Sequence, residues 1–97
     1  MLSAMPKVDI TQPHHDTPEE ARRKLEQFNT QLQEQYGLVP RWTSPTEVAV
    51  ERSGASGTLR IEPTEIQVHI DLPFAFAPLK GRIEERIRRE LGYLFSN

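Results

Sequence analysis

The segment Ile61-Glu62-Pro63-Thr64-Glu65-Ile66-Gln67-Val68-His69-Ile70-Asp71-Leu72 decides the fold, because after Pro63-Thr64 its apolar residues fall on every second position. A period of two places Ile66, Val68, Ile70 and Leu72 on one side of a strand and Glu65, Gln67, His69 and Asp71 on the other. Pro63-Thr64 supplies a turn, and a hairpin centred there pairs Ile61 with Ile66 and Leu59 with Val68, so that inward residues meet inward residues. Working backward, Leu59 and Ile61, then Val48 and Val50, alternate in the same way, and Ser53-Gly54-Ala55-Ser56-Gly57 reads as the preceding turn. Centred on Ala55-Ser56, that turn pairs Val50 with Ile61 and Glu51 with Arg60. The result is a three-stranded meander. Its wet face carries Glu47, Glu51, Arg60, Glu62, Glu65, Gln67, His69 and Asp71, and its other face requires a cover of helices.

Two further strands flank this unit. Lys7 to Thr11 sets Val8 and Ile10 against Lys7 and Asp9, and Val39 to Thr43 forms a strand in which Trp42 points inward or outward according to how the Ser44-Pro45 turn counts. A helix runs from Pro18 to Tyr36: Thr17 is its N-cap, Pro18 its first residue, Glu20 completes a capping box and Gly37 closes it. Ala21, Leu25, Phe28, Leu32 and Tyr36 form its apolar stripe, and Leu38 folds back toward Leu32. A second helix from Leu79 to about Phe95 lines up Leu79, Ile83, Ile87, Leu91 and Leu94. Its pairs Glu84–Arg88, Glu85–Arg89 and Arg86–Glu90 stand at the four-residue spacing that supports an exposed face. The expected fold is α+β: an antiparallel β-meander with two helices packed on one face, in the order β-α-β-β-β-β-α. Residues 6–97 form one domain, and residues 1–5 a disordered extension.

Composition narrows the chemistry. Twelve Lys and Arg against 14 Asp and Glu leave a net charge of -2, which gives no general attraction for nucleic acid or anionic lipid. No cysteine is present, so thiolate catalysis, disulfides and sulfur-rich zinc or iron sites are excluded. The longest uncharged apolar run, Leu72 to Leu79, falls far short of the roughly 20 residues of a membrane span, and residues 1–5 lack the features of a secretory signal. A cytoplasmic protein without a membrane span is expected.

No catalytic constellation emerges, and a non-enzymatic protein is expected, with no cofactor and no metal. His14-His15-Asp16 has metal-capable atoms, but adjacent residues rarely share a ligating direction, and a structural role is expected. Ser56 lies in a turn followed by a strand, unlike a nucleophile elbow, so a triad of Ser56, His69 and Asp71 is set aside. Lys80, Arg82, Arg86, Arg88 and Arg89 form the densest basic group, which the interleaved Glu84, Glu85 and Glu90 largely offset, so a solvated helix face is expected. The most informative segment is Leu72-Pro73-Phe74-Ala75-Phe76-Ala77-Pro78-Leu79, a strand-to-helix connection with two phenylalanines and no charge. Either both rings tuck under the sheet, or they form an exposed apolar lip for a partner, with Leu72, Pro73, Phe74, Phe76 and Leu79 as its residues.

Several of these features together resemble one bacterial family. Ile10 with Pro13-His14, Tyr36-Gly37-Leu38, Trp42, Arg52-Ser53-Gly54-Ala55-Ser56-Gly57, Leu72-Pro73-Phe74 and Leu79-Lys80-Gly81-Arg82-Ile83-Glu84 are similar to the putative polyhydroxyalkanoic acid system protein family. The resemblance implies a setting in polyhydroxyalkanoate storage and its granules, and brings no catalytic residues with it. Joined to the apolar connection, it implies an accessory protein that associates with granule proteins or the polyester surface. The alternative is a binder of small apolar, hydroxyacyl-type ligands with a pocket between sheet and C-terminal helix, lined by Phe28, Trp42, Phe74 and Phe76. An exposed sheet edge also makes a homodimer an expectation.

Overall fold

A computed structural model describes residues 6–52 and 54–95. The extension expected at residues 1–5 lies outside the described residues, as does Ser53 of the expected turn. The elements are β1 (Lys7–Pro13), α1 (Pro18–Tyr36), β2 (Val39–Ser44), β3 (Glu47–Arg52), β4 (Ala55–Ile61), β5 (Glu65–Asp71), a 3-10 turn (Phe74–Leu79) and α2 (Lys80–Phe95). The five strands form one antiparallel sheet in the order β1-β5-β4-β3-β2. The α+β class and the element order are those the hydrophobic periods predict.

Because β1 and β2 lie at opposite edges, the chain must cross the whole sheet between them, and α1 makes that crossing. Its 19 residues reach about 28 Å at 1.5 Å per residue, enough to span the four inter-strand gaps of a five-stranded sheet, about 19 Å in all. Both helix ends are built as the residues predict. The Thr17 hydroxyl accepts from the Glu20 amide at 3.2 Å while the Glu20 carboxylate accepts from the Thr17 amide at 3.1 Å. At the other end Gly37, at φ 70°, donates to the Gln33 carbonyl, and Leu38 donates to that of Leu32. The Arg52 guanidinium donates to the Tyr36 carbonyl, tying this helix end to β3.

Ile61 faces Ile66 and Leu59 faces Val68, as the Pro63-Thr64 turn requires. The preceding hairpin corrects the sequence reading. Val50 pairs with Gly57 and Glu51 with Ser56, instead of with Ile61 and Arg60, because the strands part only between Arg52 and Ala55. Ala55, Ser56 and Gly57 belong to β4. The displacement is an even number of residues, so Val48, Val50, Leu59 and Ile61 still face the helices and are buried. A strand glycine is needed at position 57, where a Cβ would stand 2.5 Å from the His69 carbonyl oxygen.

Trp42 pairs with Val48 and therefore shares its inward face. It is half-buried under α1, with the Arg22 guanidinium 4.0 Å above its ring, and a register irregularity follows between Trp42 and Ser44. α1 covers the β2 and β4 side of the sheet and α2 covers β1. One core joins Val8, Ile10, Leu25, Phe28, Leu32, Leu59, Ile66, Ile70, Ile87 and Leu91, each fully buried side chain of this size contributing about 1.5–3 kcal/mol. Two positions of the second helix depart from expectation. Leu79 belongs to the 3-10 turn and is exposed, while Phe95, one turn beyond Leu91, fills the core place assigned to Leu94.

Candidate functional site

β5 delivers Leu72 into the core, where it is 4 % exposed. Pro73 then turns the chain outward at φ -64° and ψ 155°, and the Phe76 amide donates to its carbonyl at 2.9 Å. The resulting 3-10 turn has no buried residue: Phe74 is 61 %, Phe76 37 % and Leu79 43 % exposed. Side chains three apart on a 3-10 turn eclipse each other, so Phe76 and Leu79 share a side, and Leu79 carries this apolar surface to the start of α2. Pro73 in turn lies against Gly54, where a Cβ would meet its ring at 3.3 Å. Of the two arrangements open for the phenylalanines, the structure has the exposed lip. Leu72 does not belong to that lip, because the strand alternation that aligns it with Ile70 and Val68 holds it inside.

The other candidate groups have structural partners. His14 is buried beside the Phe95 ring, its Nδ1 accepting from the Asp16 amide at 3.1 Å and its Nε2 2.8 Å from the Glu62 carbonyl. With Nδ1 accepting, the proton is on Nε2, which donates to Glu62. The Asp16 carboxylate meets the Lys24 ammonium at 2.8 Å. Among the described residues no group of three or more His, Asp or Glu is placed to hold a metal ion.

On the open sheet face, His69 Nδ1 lies 2.6 Å from Asp9 Oδ1 and its Nε2 3.4 Å from Asp71 Oδ2. The Asp9 hydrogen bond is the main cause that holds the imidazole above its ordinary value, against partial desolvation and with help from Asp71. Ser56 pairs across the sheet with Asp71, whereas the cross-strand neighbour of His69 is Thr58. Both ring nitrogens are thus engaged by carboxylates, and among the described residues neither is hydrogen-bonded to a hydroxyl as a general base would be.

The four aromatic residues expected to line one pocket are dispersed. Phe28 is in the core, Trp42 is under Arg22, and Phe74 and Phe76 are on the surface. Among the described residues, the crevice that Phe28 borders between the helices measures about 10 Å³, room for no more than a single water and none for an acyl chain. The spacing of Tyr93 from Ile87 and Leu91 marks a further residue that motif reading passes over: it is 81 % exposed on the outer face of α2.

A family model described as putative polyhydroxyalkanoic acid system protein matches residues 8–95. The chain belongs to that family. The match runs from β1 to the end of α2 and includes the whole Phe74–Leu79 turn, so the lip lies within the part of the chain the family defines. The family's name links the protein to polyhydroxyalkanoate systems. Searches of curated proteins and of solved structures return no match.

Proposed function

We propose that the protein is a non-enzymatic accessory of polyhydroxyalkanoate storage that docks reversibly on the cytoplasmic granule through Phe74, Phe76 and Leu79. The observation that carries this reading is the exposure of three large apolar side chains, with no charge among them, on one short turn. A buried aromatic side chain covers about 150–250 Å², so the lip presents a few hundred Å², less than the roughly 800 Å² per partner of a stable protein interface. That size favours contact with the polyester surface over a permanent complex with a granule protein. Such contact needs only that water leave both apolar faces, and demands no matching hydrogen-bond pattern.

Co-sedimentation with purified granules tests the reading. The wild-type chain is expected in the granule fraction, and the Phe74→Ser, Phe76→Ser double variant in the supernatant with an unchanged circular dichroism spectrum. Recovery of the wild type wholly in the soluble fraction, with no granule protein captured, sinks it.

A further inference from the structure

The charges of α2, mixed along the sequence, are sorted in space. Glu84 faces Lys80 at 3.3 Å and Arg88 at 3.0 Å, and these two cations hold its carboxyl below the usual range, Arg88 contributing first. Among the described residues, Arg82, Arg86 and Arg89 close no ion pair. They recur at four and then three residues, a spacing that puts them on one helical face, and Tyr93 continues the stripe one turn further. All four are exposed.

The stripe borders a shallow groove of about 370 Å³ lined by Tyr36, Leu79, Arg82, Ile83, Arg86 and Arg89, with Glu85 as its acidic member. Three arginines against Glu85, and against Glu90 in the adjoining crevice beside Tyr36 and Arg86, still leave the groove net cationic, although the chain as a whole is acidic. Leu79 belongs both to this groove and to the lip with Phe76. Reading from Phe74 to Tyr93, the surface is therefore aromatic, then cationic, then aromatic again.

We propose that this combined surface recognises an anionic lipid layer, with Phe74, Phe76 and Leu79 entering the acyl boundary and Arg82, Arg86 and Arg89 meeting the headgroup phosphates. The proposal rests on the docking reading above for its apolar half and adds a charge requirement that bare polyester does not impose. Uncommitted guanidiniums match phosphate oxygens by bidentate hydrogen bonding. A phenol at the far end suits the water-to-hydrocarbon boundary, where one end of the ring is wet and the other apolar. A single nucleic-acid strand would use the same cations and stack bases on Phe74 and Phe76, but the aliphatic Leu79 that joins lip and groove offers no stacking face and suits an acyl chain instead.

The test is sedimentation with vesicles of phosphatidylglycerol and phosphatidylcholine in equal parts, beside vesicles of phosphatidylcholine alone and beads of uncharged polyester. The wild type is expected to prefer the anionic vesicles on the order of 10-fold, at about fivefold per uncompensated positive charge, and to lose that preference near 1 M salt, where the screening length is about 3 Å. The Arg82→Gln, Arg86→Gln, Arg89→Gln variant keeps helix-forming residues, so it is expected to fold, to lose the preference and to retain bead binding. Equal binding to both vesicle types, an unchanged preference in the triple variant, or tighter binding to a single-stranded oligonucleotide overturns the proposal. Loss of bead binding in the Phe74→Ser, Phe76→Ser variant reports on the docking reading separately.

Discussion

Leu72 and Phe74, two residues apart on either side of Pro73, are 4 % and 61 % exposed. A single extended proline separates a core residue from a surface one, and the two should respond to substitution in opposite ways. Leu72→Ala removes buried methyl groups and leaves a cavity, at a cost of about 2–4 kcal/mol. Phe74→Ser removes nothing from the core and should change stability by no more than about 0.5 kcal/mol. Urea unfolding of the two variants measures both. Comparable losses would place Phe74 in the core and remove the lip.

Gly57 and Gly92 make a second contrasting pair. A Cβ at Gly57 would stand 2.5 Å from the His69 carbonyl oxygen and 2.9 Å from Ile70 Cγ1, so Gly57→Ala must push β4 and β5 apart, at about 1–3 kcal/mol. At Gly92, inside α2, the nearest neighbour of a Cβ is Gln12 Oε1 at 3.8 Å, an ordinary contact. Gly92→Ala should raise stability by about 0.5–1 kcal/mol through helix propensity alone. Thermal melts of the two variants should move in opposite directions.

Gly57 also marks how far the sequence could be read. Alternation assigned the inward residues correctly, since a period of two depends only on the pleat. The partner across a hairpin depends on where the turn lies, and a run of small residues such as Gly54-Ala55-Ser56-Gly57 offers several centres that keep the same faces inward. Helix α1 was legible to the residue because Thr17, Glu20 and Gly37 each satisfy a specific orphan group at its ends. The exposure of Phe74 and Phe76 was not legible: an apolar run without periodicity does not say which side of a turn faces the core. Nor was the sorting of the α2 charges: Glu85–Arg89 and Arg86–Glu90 stand at the same four-residue spacing as Glu84–Arg88, yet among the described residues of α2 only Glu84 closes ion pairs, with Lys80 and Arg88.

Arg22 should hold the β2 edge. Its guanidinium lies over Trp42 and donates to the Pro45 carbonyl at 3.0 Å, so one side chain covers the ring and fixes the turn into β3. Arg22→Ala is expected to cost about 0.5–1.5 kcal/mol, the cation–π contact and lost stem packing together, and to shift Trp42 emission to the red as water reaches the indole. Arg22→Lys keeps a cation without the planar fork and should lose less. An unshifted emission in the alanine variant would mean that the ring is shielded by something else.

The Asp9–His69 pair fastens the edge strand β1 to β5, where the two residues are direct cross-strand partners, and its contribution must depend on pH. The imidazole is held above its ordinary value chiefly by the Asp9 hydrogen bond, so folding favours the protonated ring. Stability from this source is fully present below the unfolded value near 6.5 and is lost as the pH rises through the higher folded value. The pair is exposed to solvent on both sides, which limits its worth to about 0.2–1 kcal/mol. Wild type should therefore lose a little stability between mildly acidic and mildly alkaline pH, and His69→Gln should flatten that slope. Asp9→Asn is the sharper test, because it removes the first cause and leaves Asp71 in place. In an NMR titration the His69 ring of that variant should move back toward the ordinary value without reaching it. A titration unchanged from wild type would show that Asp71, at the longer distance, governs the ring instead.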